Sequence, residues 1–120
     1  MANEITAVMR LEVNNSPYDM KFAQTRTFDQ TGTGAGTPGV VSLTTAESDV
    51  SFGAITPGFT GMLNLSTANT VQFGPKDTTM TLLGQLSPQA FCLFEMSTAA
   101  TLRMRTTAST AVVQIFGVEV

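Results

Sequence analysis

Apolar and polar residues alternate with a period of two along most of the chain, which is the pattern of half-buried β-strands. In the first such stretch one face carries only apolar residues: Ile5, Ala7, Met9, Leu11 and Val13. The other face is mostly polar, with Val8 as its exception. The segment NNSPYD (14–19) then predicts a turn, because Pro17 cannot continue a strand ladder.

Short runs of this kind recur between turn signals and predict ten strands, at 5–13, 20–28, 40–45, 49–53, 59–66, 70–74, 79–84, 90–96, 101–107 and 111–120. A spacing of about 8–12 residues is typical of all-β sandwiches and barrels. We therefore predict an all-β fold, with one antiparallel β-sandwich domain over 1–120 that is jelly-roll-like or Ig-like. The glycine-rich segment TGTGAGTPG predicts a flexible loop at 30–39.

The segment GFTGMLNLSTANTVQFG (58–74) predicts two of these strands around a polar turn at Ser66–Asn69. Met62 or Leu63 packs into the core, depending on the register. Asn64 is predicted either to cap a turn or to bond backbone across a subunit boundary.

Charged residues make up only 12% of the chain, against roughly 25% in typical soluble domains. The net charge of −3 argues against a nucleic-acid partner or an acidic membrane, since both attract basic surfaces. No apolar run approaches the roughly 18 residues of a membrane span, so no membrane partner is expected. The start of the sequence lacks the pattern of a signal peptide, which predicts a product made and left in the cytoplasm.

The residues that most enzymes use are scarce. The chain has no histidine and one cysteine, which excludes Ser–His–Asp and Cys–His sites and thiolate metal cages. Cys92 lies in an apolar run and is predicted to be a small core residue. Glu47 and Asp49 are close in sequence but predict a solvated turn and not a calcium site. We therefore expect no enzymatic activity, no cofactor and no metal.

Several strands are apolar on both faces, and one sandwich has no second core to receive both sets. The outer set is predicted to pack against another subunit. The candidates in these strands are Phe91, Leu93, Val113 and Ile115. The turn and the glycine-rich loop add further contact candidates: Asn14, Asn15, Tyr18, Gly32, Gly34 and Gly36.

The order of short motifs over about residues 20–120 resembles that of small β-sandwich virion structural proteins of tailed bacteriophages. The matching positions are Phe52-Gly53, Gly61, Leu63-Asn64-Leu65, Asn69-Thr70-Val71, Phe73-Gly74 and the segment 84–90. Ser66 and the order Ala68-Asn69-Thr70 depart from the usual spelling.

This resemblance implies a β-sandwich structural component of a phage particle, and our leading interpretation is a capsid decoration or cement protein that binds the major capsid protein or other virion proteins. It would form a homo-oligomer, with a trimer favoured, and would be found in the virion after synthesis in the host cytoplasm. The main alternative is a structural protein of the tail, neck or fibre. A carbohydrate-binding module ranks lower, because the chain has no tryptophan and Tyr18 is its only tyrosine. A hydrolase that uses only carboxylates ranks last.

Overall fold

A computed structural model describes residues 5–15, 18–30, 35–97 and 100–119. Within these ranges the chain forms ten β-strands and no helix. The strands are β1 (Ile5–Asn15), β2 (Tyr18–Phe28), β3 (Ala35–Leu43), β4 (Ser48–Asp49), β5 (Phe59–Asn64), β6 (Val71–Pro75), β7 (Gly84–Leu86), β8 (Phe91–Glu95), β9 (Leu102–Thr106) and β10 (Ala111–Val118).

The chain divides into two compact units, one formed by residues 1–31 with 120 and the other by residues 32–119. The first unit contains β1 and β2, which pair only with each other. The second contains two four-stranded antiparallel sheets, in the orders β3-β10-β5-β8 and β4-β9-β6-β7. We refer to them as the β10 sheet and the β9 sheet. The predicted all-β antiparallel sandwich is confirmed, and the assignment of residues 1–120 to one domain stays a prediction.

The connectivity of the second unit is that of a jelly roll. Successive strands from β3 to β6 alternate between the two sheets, and β8, β9 and β10 alternate back again. The first strand of this unit, β3, thus pairs with its last strand, β10. In the same way β4 pairs with β9, β5 with β8, and β6 with β7. This nested antiparallel pairing defines the eight-stranded double-sheet roll. Of the two predicted variants, the jelly-roll-like one is correct.

The core lies between the inner faces of the two sheets, where period-two alternation turns every second side chain inward. The β10 sheet contributes Leu43, Met62, Val113 and Ile115, and the β9 sheet contributes Val71, Leu86, Leu102 and Met104. Met62, not Leu63, is the inward residue of β5. Burying a side chain of this size stabilises the fold by roughly 1.5–3 kcal/mol.

Three sequence-based expectations are wrong in position. The loop predicted at 30–39 is a strand from Ala35 onward, because β3 pairs with β10 as far as Ala35. Pro38 is tolerated there because β3 is an edge strand. Residues 31–34 lie outside the described part of the chain. The strand predicted at 79–84 is replaced by the shorter β7, and the strand predicted at 49–53 by β4.

The two strands predicted at 58–74 are confirmed as β5 and β6, but they belong to different sheets and do not pair with each other. β5 lies in the β10 sheet and β6 in the β9 sheet. The turn between them therefore carries the chain across the sandwich, which places a structural demand on residues 64–70.

Candidate functional site

The β1–β2 hairpin is an amphipathic ribbon with one apolar face. The register pairs Leu11 with Phe22 and Val13 with Met20, and directly opposed residues share a face. The hairpin apolar face therefore consists of Ile5, Ala7, Met9, Leu11, Val13, Met20, Phe22, Gln24, Arg26 and Phe28. The Arg26 guanidinium lies 5.4 Å from the centre of the Phe28 ring at one end of this face.

The opposite face of the ribbon is polar and carries its remaining charges. Arg10 Nε donates to Glu12 Oε2 at 2.9 Å, and the register places Glu12 beside Lys21. Val8 is the apolar exception on this side, as the alternation predicted. The ribbon thus gathers most of its large apolar residues on one face, with Arg26 near one end of that face, and its other charged residues on the opposite face.

The hairpin apolar face is open to solvent over most of its length. Leu11 is 66% exposed, Phe22 is 63% exposed, and Met20 and Val13 are similarly open. An isolated two-stranded hairpin is marginally stable at best in water. Contiguous exposed apolar surface of this kind marks an interaction site in soluble proteins. The ribbon therefore has the properties of a surface that is covered in the working state.

The outer face of the β10 sheet is a second apolar surface. Its four strands align Val40, Gln114, Leu63 and Phe91 in one row across the sheet. We call this surface the apolar sheet face and define it by Val40, Leu63, Phe91, Leu93, Val112 and Phe116. Most of these side chains are exposed, and Leu93 packs over Gly61, where an added Cβ would lie 3.5 Å from its Cδ1.

The outer face of the β9 sheet is charged instead. Arg103 joins two acids, with Nη1 3.1 Å from Glu47 Oε2 and Nε 2.8 Å from Asp49 Oδ1. Lys76 Nζ lies 3.1 Å from Asp49 Oδ2, and Arg105 Nη1 lies 3.5 Å from Glu47 Oε1. These five residues form one ion-pair network. The sandwich therefore presents a charged side and an apolar side, and the apolar side is the better candidate for protein contact.

The network lowers the pKa of both acids. The amide of Met80, which donates to Glu47 Oε2 at 3.1 Å, and then the Arg103 guanidinium hold the pKa of Glu47 below its ordinary value. Hydrogen bonds from Arg103 and Lys76 do the same for the pKa of Asp49. Both carboxylates are thus engaged by donors and cations. In place of the predicted solvated turn, Asp49 lies in β4 and Glu47 immediately precedes that strand, and both acids take part in these ion pairs.

Asn64 is fully buried and joins two loops to the core. Its Nδ2 donates to the carbonyl oxygens of Asn69 at 2.8 Å, Leu86 at 3.0 Å and Ser87 at 3.2 Å. Its Oδ1 accepts from the Ser66 amide at 3.0 Å. All of these partners belong to the same chain. The predicted turn-capping role is confirmed, and these bonds lie within the subunit.

An apolar groove of about 470 Å³ lies beside β8, between the two sheets. We call it the edge groove, and its walls include Phe73, Leu83, Cys92, Phe94, Met96 and Leu102. Cys92 is partly buried there, and burial raises the pKa of its thiol to about 11. A thiol with so high a pKa is a poor nucleophile near neutral pH. This agrees with the prediction that Cys92 serves as an apolar residue.

The structure separates the predicted contact residues into four groups. Phe91 and Leu93 lie on the apolar sheet face and are exposed, as the prediction requires. Val113 and Ile115 are 0% exposed, so their assignment as interface residues is wrong. Both positions alternate with Val112 and Phe116, and the pairing with β3 and β5 turns Val113 and Ile115 inward. Sequence alternation defined the two faces of β10 but could not say which was inner.

The remaining candidates lie at the hairpin turn and before β3. Asn14 is exposed on the polar face of the ribbon. The side chains of Asn15 and Tyr18 lie outside the described part of the structure, although their backbones pair at the end of the hairpin. Gly32 and Gly34 also lie outside it, and Gly36 falls within β3. These candidates are therefore divided among the hairpin, β3 and residues outside the described part of the chain.

The exposed residues of the ribbon are the part of the candidate surface that sequence reasoning missed. Leu11 and Val13 were predicted only as part of the apolar face of a half-buried strand, and Met20 and Phe22 only as residues of the second strand. The signal that could have identified them is the turn at 14–19, which joins two strands of nearly equal length and matching alternation. Such a pair is able to satisfy its hydrogen bonds as a separate ribbon.

No cluster of three or more His, Cys, Asp or Glu side chains that could hold a metal ion occurs in the described ranges. Those ranges also contain no helix long and apolar enough to cross a membrane. Comparisons with protein-family models, with curated proteins and with solved structures gave no match.

Proposed function

We propose that this chain is a non-enzymatic structural protein of a tailed-phage virion, of the capsid decoration or cement type. The observation that carries the proposal is the exposed hairpin apolar face, because such a ribbon needs a covering partner. The motif order of residues 52–90 supplies the link to phage particles. The jelly roll is compatible with this role, since it recurs in viral capsid and lectin domains, but a fold alone does not assign a function.

The proposed assembly uses the two apolar surfaces for different partners. The hairpin apolar faces of three copies pack around a common axis and bury Leu11, Phe22 and their neighbours in a shared core. The apolar sheet face then lies against the major capsid protein. Contact through apolar area and backbone bonds suits a chain with few charges, because interface cores are depleted in charged residues.

The ion-pair network favours this structural role over the hydrolase alternative. A carboxylate pair that performs acid–base chemistry needs one group that gains or loses a proton near the working pH. Glu47 and Asp49 instead both have lowered pKa values and share the guanidinium of Arg103. The two carboxylates therefore act as surface ion-pair partners that hold β4 and the residue before it against β9.

The copy number of the protein in purified virions tests the proposal directly. Quantitative mass spectrometry against the major capsid protein should give on the order of hundreds of copies, in a simple ratio to that subunit, as closed symmetric shells require. About three to twelve copies would instead identify the tail, neck or fibre alternative, whose rings have low symmetry numbers. Absence from purified virions would overturn the virion assignment altogether.

A matched pair of variants tests the ribbon. Leu11→Ser removes an apolar side chain from the hairpin apolar face, whereas Val8→Ser makes a similar change on the polar face at 61% exposure. We expect Leu11→Ser to shift the oligomer toward smaller species and to lower virion occupancy, and Val8→Ser to leave both unchanged. Sedimentation and virion occupancy report the two effects. Equal behaviour of the two variants would show that the hairpin apolar face is not the contact.

A further inference from the structure

The two sheets of the sandwich have four edges, and three of them carry features that discourage further strand pairing. β4 and β7 are only two and three residues long. β3 contains Pro38, followed by Gly39 at a φ of 84°. Short strands, proline and local distortion are the devices by which natural sheets protect their edges. The fourth edge, β8, has none of them.

The backbone of β8 presents a regular set of hydrogen-bonding groups at this edge. On the inner side, the Asn64 amide donates to the Ala90 carbonyl at 2.9 Å, and the Met96 amide donates to the Gly58 carbonyl at 2.7 Å. Backbone groups of successive strand residues point to opposite sides. Residues 90, 92, 94 and 96 therefore face β5, and the N–H and C=O groups of Phe91 and Leu93 point away from it. No described strand pairs with them there.

The side chains around this edge are apolar on both sides of the sheet. Phe91 is 75% exposed on the apolar sheet face, with Leu93 beside it. On the inner side, Cys92 and Phe94 line the edge groove, which is open between the two sheets. An added strand would therefore extend the β10 sheet, place its own side chains beside Phe91 and Leu93, and close the groove. This is the geometry of recognition by strand addition.

We propose that the strand added at this edge is β8 of a second copy, in an antiparallel two-fold arrangement centred on Leu93. Centring on Leu93 pairs Phe91 with Glu95 of the second copy and Leu93 with its own equivalent. In each of these pairs the backbone N–H and C=O groups point toward the shared edge, so the donors of one copy face the acceptors of the other. A single isologous contact of this kind closes on itself and needs no other protein.

Charge and packing select the antiparallel arrangement. Glu95 is the only charged residue of β8 and lies at one end of it. A parallel pairing would place the two Glu95 side chains together, whereas the antiparallel pairing separates them by about 14 Å, four residues along a strand. The same arrangement groups two Phe91 and two Leu93 side chains on the outer face. On the inner face it sets Phe94 of one copy beside Cys92 of the other, over the grooves.

Disulfide trapping in the full-length chain tests this register. In a Cys92→Ala background, Leu93→Cys places two thiols at a hydrogen-bonded pair, whose Cα atoms lie about 5.5 Å apart and within disulfide range. Oxidation with copper phenanthroline should give a covalent dimer on a non-reducing denaturing gel. Val40→Cys, which exposes a thiol on the protected β3 edge, is the control and should remain largely monomeric on the same gel.

A second set of variants checks the register at other positions of β8, so the test does not depend on the folding of a single variant. Phe91→Cys alone should not cross-link, because its two copies lie about 14 Å apart. A mixture of Phe91→Cys chains with Glu95→Cys chains should cross-link as a heterodimer. Trapping of Leu93→Cys no better than Val40→Cys would overturn the proposal, as would self-trapping of Phe91→Cys. The experiment needs no virion, so its failure is distinct from failure of the proposed function.

Discussion

Replacing Asn64 should destabilise the sandwich more than any other single polar substitution on its inner face. The side chain is fully buried, and its two amide protons are shared among three carbonyl oxygens. Of these acceptors, the Leu86 carbonyl is the buried one. Leaving a buried acceptor without a donor costs about 1–3 kcal/mol, and the lost bond from the Ser66 amide adds about 1 kcal/mol. For Asn64→Ala we therefore expect a loss of about 2–4 kcal/mol.

Urea unfolding followed by circular dichroism measures this loss. For a chain of this size the slope of stability against denaturant is about 1–3 kcal/mol per molar urea, so the midpoint should fall by roughly 1–2 M. Asn64→Asp is the sharper variant, because it keeps the volume and the Ser66 bond but turns an oxygen toward three carbonyls. It should be at least as destabilising as Asn64→Ala, without creating a cavity.

Asn69→Ala is the matched control, since it removes a single exposed hydrogen bond to the Thr110 carbonyl. Its expected cost is below about 1.5 kcal/mol. Should Asn64→Asp unfold at the same urea concentration as the wild type, the view that the Asn64 amide holds the two loops would be refuted. A cost for Asn69→Ala equal to that for Asn64→Ala would refute it as well.

Three further predictions follow from single contacts. Gly74→Ala should prevent stable folding, seen as a lost thermal transition, because a Cβ there would overlap the Thr81 carbonyl oxygen. Gly53→Ala should cost far less, because nothing lies within 4 Å of its Cβ and the only penalty is the φ of 65°, about 1–2 kcal/mol for a residue with a Cβ. Because the pKa of Glu47 is lowered in the folded state, its ionised carboxylate stabilises the fold at neutral pH, and this contribution is lost as the pH falls through that pKa. The Tm of Glu47→Gln should therefore converge on the wild-type Tm in acid. A difference in Tm that persists in acid would contradict the ion-pair role of Glu47. Cys92 should react with iodoacetamide about 100-fold more slowly in the folded than in the unfolded chain, since its pKa rises from 9.0 to about 11; equal rates would show that the thiol is not desolvated.

The architecture was largely predictable because alternation is a local property of the sequence. Apart from the stretch at 79–84, each predicted strand overlaps a strand of the structure, and strand-forming residues at close turn spacing are enough to predict an all-β sandwich. The strand at 79–84 failed because pairing there is irregular. The amides of Thr81 and Leu83 donate to the β6 carbonyls of Pro75 and Phe73, and the Thr81 carbonyl occupies the space of a Cβ at position 74, but these contacts do not form a regular ladder.

What sequence could not supply was the pairing of distant strands. Val112 and Val113 are equivalent by composition, and only the register with β3 and β5 places Val113 in the core and Val112 outside. The pairing of β1 and β2 as a two-stranded unit of their own is a second case, because alternation in β1 predicts a buried face without saying what buries it. Leu11 and Phe22 follow the apolar alternation of a buried strand face, but both side chains are exposed to solvent.

The central position of β10 has a consequence for the order in which the sandwich forms. β10 lies between β3 and β5, and it pairs with both along most of its length. During synthesis β3 and β5 emerge long before β10, so they have no shared neighbour until residues 111–118 leave the ribosome. Contacts between such distant segments slow folding. The hairpin of β1 and β2, whose pairs are all local, is able to form first, with its apolar face exposed while the rest of the chain is still being made.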